Sequence, residues 1–177
     1  MKKLIIILCT LSMIANIARA VPVQKDLERT ITGIHTKTFS VGNLYKTAMD
    51  STEWNEVIST THDFVKEHSL QNRSLMRSYK KIKQANDQLV HEIDMAYKLL
   101  FRSESTRNVS NKALVEKFSS KFGVIERNMK ELKIKLKKQL DDKKFSLHGQ
   151  EKVATVLHRL ALTLELTAKK ASNDLKK

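Results

Sequence analysis

The sequence predicts an all-α protein, an antiparallel bundle of four to five long amphipathic helices with coiled-coil-like packing. Two observations predict it. Among 177 residues there are four glycines and one proline, too little turn chemistry for a strand-rich fold. Apolar residues also recur at alternating steps of three and four through long segments that are charged elsewhere, the pattern of a helix with one apolar stripe. Such stripes can be buried only against one another.

The first element is expected to be a signal peptide over residues 1–20. Lys2 and Lys3 precede an apolar run from Leu4 to Ile14, and Ala18-Arg19-Ala20 supplies small residues in an A-x-A cleavage pattern, so the mature chain should begin at Val21. The run is shorter than the ~20 apolar residues of a spanning helix, and Thr10, Ser12 and Asn16 interrupt it. No second such run follows. A secreted, extracellular protein with no transmembrane segment after cleavage is the expectation. Cys9, the sole cysteine, leaves with the leader, so the mature chain can form no disulfide and offers no thiolate. A hydrophobic core must hold the fold, and the remaining length suffices for one domain.

Residues 21–49 are weakly patterned. Leu27, Ile31 and Ile34 suggest a helix, whereas Thr36 to Gly42 is rich in β-branched and small residues and reads as extended or loop. The bundle domain is assigned to 50–177. Asp50 and Glu53 resemble an N-terminal cap. A seam follows through Trp54, Val57, Thr61, Phe64 and His68, and continues through Leu75, Tyr79, Ile82, Asn86, Leu89, Ile93, Ala96 and Leu100. One very long helix or two near-collinear ones are expected, with Ser69 to Asn72 as the break because both end residues are good caps. Asn86 reads either as the register-fixing polar residue of a dimeric coiled coil over residues 54 to 100 or as a partly exposed residue near the bundle edge. The second is preferred.

Arg102 to Asn111 is Ser-, Thr- and Asn-rich and reads as a linker. Leu114, Phe118, Ile125, Met129, Leu132 and Leu136 resume the seam, with Phe122 and Leu140 widening it. Phe145 to Gly149 punctuates the chain. Val153, Leu157, Leu160, Leu164, Ala171 and Leu175 then mark a final, almost purely aliphatic stripe.

Charge is the main functional clue, with 33 Lys and Arg against 19 Asp and Glu. It points to an anionic partner. Arg73, Arg77, Lys80, Lys81 and Lys83 form an acid-free run at a predicted helix start, where the helix dipole favours carboxylates instead. A second run includes Lys130, Lys133, Lys137 and Lys144, which fall along one flank of a stripe. The candidate anion-binding residues are therefore Arg73, Arg77, Lys80, Lys81, Lys130, Lys133, Lys137 and Lys144. The plain alternative is a solvated, solubilising face. Nucleic acid is disfavoured because the runs lack interleaved aromatics for base stacking. Asn72-Arg73-Ser74 and Asn108-Val109-Ser110 are candidate N-glycosylation sequons.

No P-loop, dinucleotide fingerprint, nucleophile elbow, metalloprotease helix or calcium loop is present, so neither catalysis nor a cofactor is expected. Asp87 and His91 share a helix face as half of a metal site or, preferably, as a surface pair, and no metal is expected. His68 on the seam could loosen packing in mild acid. In size class, export, cysteine-free mature chain and amphipathic helices, the protein is similar to the insect apolipophorin family. The resemblance covers composition and architecture of the mature chain and rests on no motif. It implies a lipid carrier whose bundle opens to lay its apolar faces on lipid. The functional expectation is a secreted, non-enzymatic factor that binds a partner protein or an anionic matrix or surface, of the kind found among arthropod salivary, venom or haemolymph proteins. A lipid carrier and a cationic membrane-active protein, with Lys130 to Lys144 as its surface-active part, are the alternatives.

Overall fold

The computed structural model describes residues 23–33, 52–69, 72–101, 110–145 and 147–176, and all regular structure among them is helical. The helices are α1 (23–33), α2 (Thr52–His68), α3 (Arg73–Phe101), α4 (Ser110–Asp141) and α5 (His148–Asp174). The arrangement is compatible with a helical bundle. The expected leader over 1–20, the segment from Thr36 to Gly42, Asp50 and the sequon at Asn108 lie outside the described residues.

Each helix forms where the apolar period places it. In α1, Leu27 and Ile31 are buried one turn apart. In α2 the buried face runs through Trp54, Val57, Ile58, Thr61, Phe64, Val65 and His68. In α3, Leu75, Tyr79, Ile82, Asn86, Leu89, Ile93 and Ala96 are all buried, and in α4 Phe118, Phe122, Ile125, Met129, Leu132 and Leu136 are. These residues and the aliphatic side chains of α5 form one continuous core.

The break between α2 and α3 falls at the expected place, but the two helices are not near-collinear. The indole N–H of Trp54 donates to Asn86 Oδ1 at 2.6 Å, and the Tyr79 hydroxyl donates to the carbonyl of Ile58 at 3.1 Å. In a continuous helix, Trp54 and Asn86 would stand about 48 Å apart. The chain therefore reverses at residues 69–72, where the Asn72 N–H donates to the Ser69 carbonyl at 2.8 Å. Asn72 Oδ1 then accepts from the backbone N–H groups of Ser74 (3.1 Å) and Leu75 (3.3 Å), capping α3. The reversal lets both stripes share one core instead of presenting a long open seam. Asn86 is likewise not an edge residue: it is buried, and its polar group is satisfied within the chain by Trp54.

The α4–α5 connection closes with a Schellman-type cap. Lys144 N–H donates to Gln139 O and Lys143 N–H to Leu140 O, both at 3.1 Å. Lys143 occupies the left-handed position with φ 48°, where glycine is the unstrained choice.

Two stability predictions follow from these turns and hydrogen bonds. Asn86→Ala should remove the Asn86 acceptor of the Trp54 indole N–H inside the core and lower unfolding free energy by about 1–3 kcal/mol, read from urea denaturation followed by Trp54 fluorescence. Lys143→Gly should raise the thermal midpoint by relieving about 1 kcal/mol of backbone strain.

Candidate functional site

Two of the first-run cations, Arg77 and Lys81, meet Lys135 of the second run between α3 and α4. The Lys121–Glu92 ion pair, 2.6 Å, joins the two helices. Beyond it, residues nearer the start of α3 stand with residues nearer the end of α4, so the helices run in opposite directions. Together they enclose a groove of about 540 Å³.

On the α3 side, Ser74, Arg77, Ser78, Lys81, Gln84, Ala85 and Gln88 line it, one helical face at steps of three and four. From α4 come Ile125, Asn128, Met129, Glu131, Leu132 and Lys135. Counting from Lys121 and Glu92, Lys135 falls opposite Ser78, next to Arg77, and Asn128 opposite Ala85, next to Gln84. The groove therefore has a cationic end formed by Arg77, Lys81 and Lys135, and an amide-rich end formed by Gln84, Gln88 and Asn128. Its floor is apolar: Ile125, Met129, Leu132 and Ala85 are all buried.

Several cations outside the groove have carboxylate partners, while others, such as Arg73, Lys80, Arg127, Lys130 and Lys138, share with the groove cations the lack of one among the described residues. Lys83 bonds Asp87 (2.7 Å), Lys98 bonds Asp94 (2.6 Å), Lys137 bonds Asp141 (2.6 Å), and Arg159 reaches Glu28 of α1 (3.1 Å). Arg77, Lys81 and Lys135 are exposed and take part in no ion pair among the described residues. Glu131 is the groove's one carboxylate. An anion entering this end would meet three uncommitted cations and little competition, a local excess that attracts it from solution.

The remaining candidate residues are distributed differently. Arg73, Lys80 and Lys130 are exposed and do not line the groove. Lys133 turns inward to Glu165 of α5 at 2.5 Å, and Lys144 faces Asp142 at 3.1 Å. With Lys137 also paired, three members of the second-run row have carboxylate partners. Lys135 belongs to the second run but not to the row of candidates drawn from it, and Gln84, Gln88 and Asn128 were not singled out by the sequence. Their common feature is a position between helices, which a helical wheel drawn for one helix does not reveal. Asn72, besides capping α3, donates from Nδ2 to Gln150 Oε1 at 3.2 Å, and Gln150 Nε2 donates to the Ser69 carbonyl at 3.1 Å. The nitrogen to which a glycan would be joined is thus engaged at the α2–α3 turn. Asp87 pairs with Lys83 and not with His91.

Among the described residues no group of three or more His, Cys, Asp or Glu is placed to hold a metal ion, and no helix is long and apolar enough to cross a membrane. No family model, curated protein or solved structure matches the chain.

Two histidines are held below their ordinary value of 6.5. For His68 the first cause is burial, opposed by Glu67 and reinforced by Lys152. For His158 it is again burial, then the nearby charges of Lys133, Lys137 and Arg159, with Asp141 opposing. The folded chain therefore binds fewer protons than the unfolded chain between the depressed values and 6.5. Stability falls as pH drops through that window and levels off below it. Urea midpoints measured from neutral pH to about pH 5 should decline, and His68→Gln should flatten part of that slope.

Proposed function

We propose that this is an exported, non-enzymatic helical-bundle protein that binds a sulfated glycan of the extracellular matrix in the α3–α4 groove. Export rests on the leader pattern of residues 1–20. The architecture that goes with it is an antiparallel bundle with coiled-coil-like seams, supported by the heptad spacing and by the reversals at 69–72 and at the α4–α5 connection. The observation that carries the binding reading is the set of uncommitted cations Arg77, Lys81 and Lys135 at one end of a groove whose other end offers amides. Sulfates suit the first set. Hydroxyls of a sugar suit Gln84, Gln88 and Asn128, and the apolar faces of its rings suit Ile125 and Leu132. A slender polymer fits an open groove between helices better than a globular partner would.

The test is retention of the mature protein on immobilised heparin as salt is raised. Arg77→Glu/Lys81→Glu/Lys135→Glu should bind at least tenfold more weakly, about 1.4 kcal/mol or more, and Ala85→Leu, which fills the floor without changing charge, should also weaken binding. Lys130→Glu/Lys137→Glu should matter much less. Retention of the triple groove variant equal to that of the unaltered protein would exclude the groove as the site.

A second reading rests on Ile134, which is 56% exposed on α4 with Lys130, Lys137 and Lys138 within one turn. An aliphatic side chain among lysines suits an anionic lipid surface. Vesicle binding that is lost in Ile134→Ser while heparin retention persists would favour that reading.

A further inference from the structure

At the end of the molecule where α5 begins, a buried lysine stands without a partner among the described residues. Lys152 is 6% exposed, and its buried Nζ has no hydrogen-bond partner among them. Removing an ammonium from water without an acceptor or counter-ion carries a large penalty, and here the surroundings add to it. α5 has Leu147 at its N-cap, with no side chain capping it. The Leu147 carbonyl accepts from the N–H of Gln150 (3.0 Å) and Glu151 (3.4 Å). The N–H groups of His148 and Gly149 precede these and have no acceptor within the helix. Their partial positive charge disfavours a cation and favours an anion.

The same corner receives the end of α2. A Cβ placed on Gly149 would stand 3.3 Å from His68 Cβ, 3.4 Å from its carbonyl oxygen and 3.7 Å from its Nδ1, so the end of α2 packs closely on the first turn of α5. Lys152 follows Gly149 by three residues and His148 by four. Helical side chains lean toward the N-terminus, which carries its amine along the face where His68 is seated. The Lys152 charge acts on the His68 ring. The carboxylates nearby are committed elsewhere or exposed: Glu151 lies 3.8 Å from His148 Nδ1, and Glu67, 3.7 Å from His68 Nε2, is 53% exposed. Neither forms an ion pair with Lys152.

We infer that the start of α5 binds one small tetrahedral oxyanion, phosphate or sulfate, through Lys152 Nζ, the His68 ring and the free N–H groups of His148 and Gly149. The anion supplies the counter-charge that Lys152 lacks and the acceptor that the helix terminus lacks. It also ties α2 to α5, because His68 belongs to one helix and Lys152 to the other. The site is separate from the α3–α4 groove and does not depend on the reading given to that groove.

The experiment is a titration of the full chain with inorganic phosphate, and separately with sulfate, at ionic strength held constant with chloride. Imidazole resonances are followed by NMR and the thermal midpoint is measured in parallel. A saturable shift of His68, with His148 allowed to move beside it and His62 and His158 unmoved, and a saturable rise in midpoint are expected. Lys152→Met should lower the apparent affinity at least tenfold, while Arg77→Glu/Lys81→Glu/Lys135→Glu leaves it unchanged. Absence of a saturable His68 response in the unaltered protein overturns the inference, whether or not the Met variant folds. So does an equal response in chloride alone, or an equal response in Lys152→Met.

Discussion

The structure depends on α5 keeping only a narrow solvent face. Fifteen of its 27 residues are buried, more than one stripe can supply, so the helix must be enclosed on several sides. α5 meets α2, α3 and α4 along its length and reaches α1 through Arg159 and Glu28. Each of the other helices needs only one apolar stripe because a central helix is there to receive it. The polar groups that α5 carries inward are then constrained. Thr167 Oγ1 donates to the Thr163 carbonyl at 2.8 Å, Gln150 donates to Ser69 and accepts from Asn72, and Glu165 takes Lys133 from α4. The Gln150 and Glu165 contacts fix where α5 sits along its neighbours, which a purely aliphatic surface would leave free to slide.

That enclosure also explains how the lysines are divided. A run of like charge in sequence is not a patch in space, because successive helical residues are turned by about 100°. In α4, Lys133 is turned toward α5 and becomes half of an ion pair, Lys135 is turned toward α3 and joins the groove, and Lys130 and Lys138 remain in solvent. The partly buried Lys133–Glu165 pair holds two helices together, and removal of either partner leaves a poorly hydrated charge behind. The exposed pairs within one helix, such as Lys137 with Asp141, contribute little to stability. Their main effect is to neutralise cations that would otherwise be open to a ligand.

Much of the fold was legible because it is local. The steps of three and four from Leu75 to Ala96 place every one of the buried positions of that seam, and Leu27 with Ile31 marks α1 even in a weakly patterned segment. Direction was not legible. The stripes of α2 and α3 are in phase across residues 69–72, and phase is the same whether the chain continues or turns back. What decides between them is the pairing of Trp54 with Asn86, a contact 32 residues long in sequence, and periodicity carries no information about it. The left-handed Lys143 was hidden because no glycine marks it, while Gly149, which looks like a turn signal, lies inside α5 and packs closely against the end of α2. For the groove, the sequence offered Arg77 and Lys81 but could not supply Lys135 or Asn128 as neighbours, since that needs the register between two helices.

The concavity between α3 and α4 has a local cause as well. Ser74, Ser78 and Ala85 share the face of α3 that looks into the groove, and all three are small. Ser78 and Ala85 are nearly inaccessible, at 5% and 7% exposure, so they occupy positions where a leucine would close the two helices more fully. The Ser78 hydroxyl bonds back to the Ser74 carbonyl at 2.9 Å and so offers no polar bridge to α4. Small residues there forgo packing that the neighbouring seam positions Leu75, Ile82 and Leu89 obtain in full. Stability alone does not account for small residues and uncommitted cations on the same face. Departures of this kind from good local packing are expected where a surface serves binding, and here the small residues share the groove-lining face of α3 with Arg77 and Lys81.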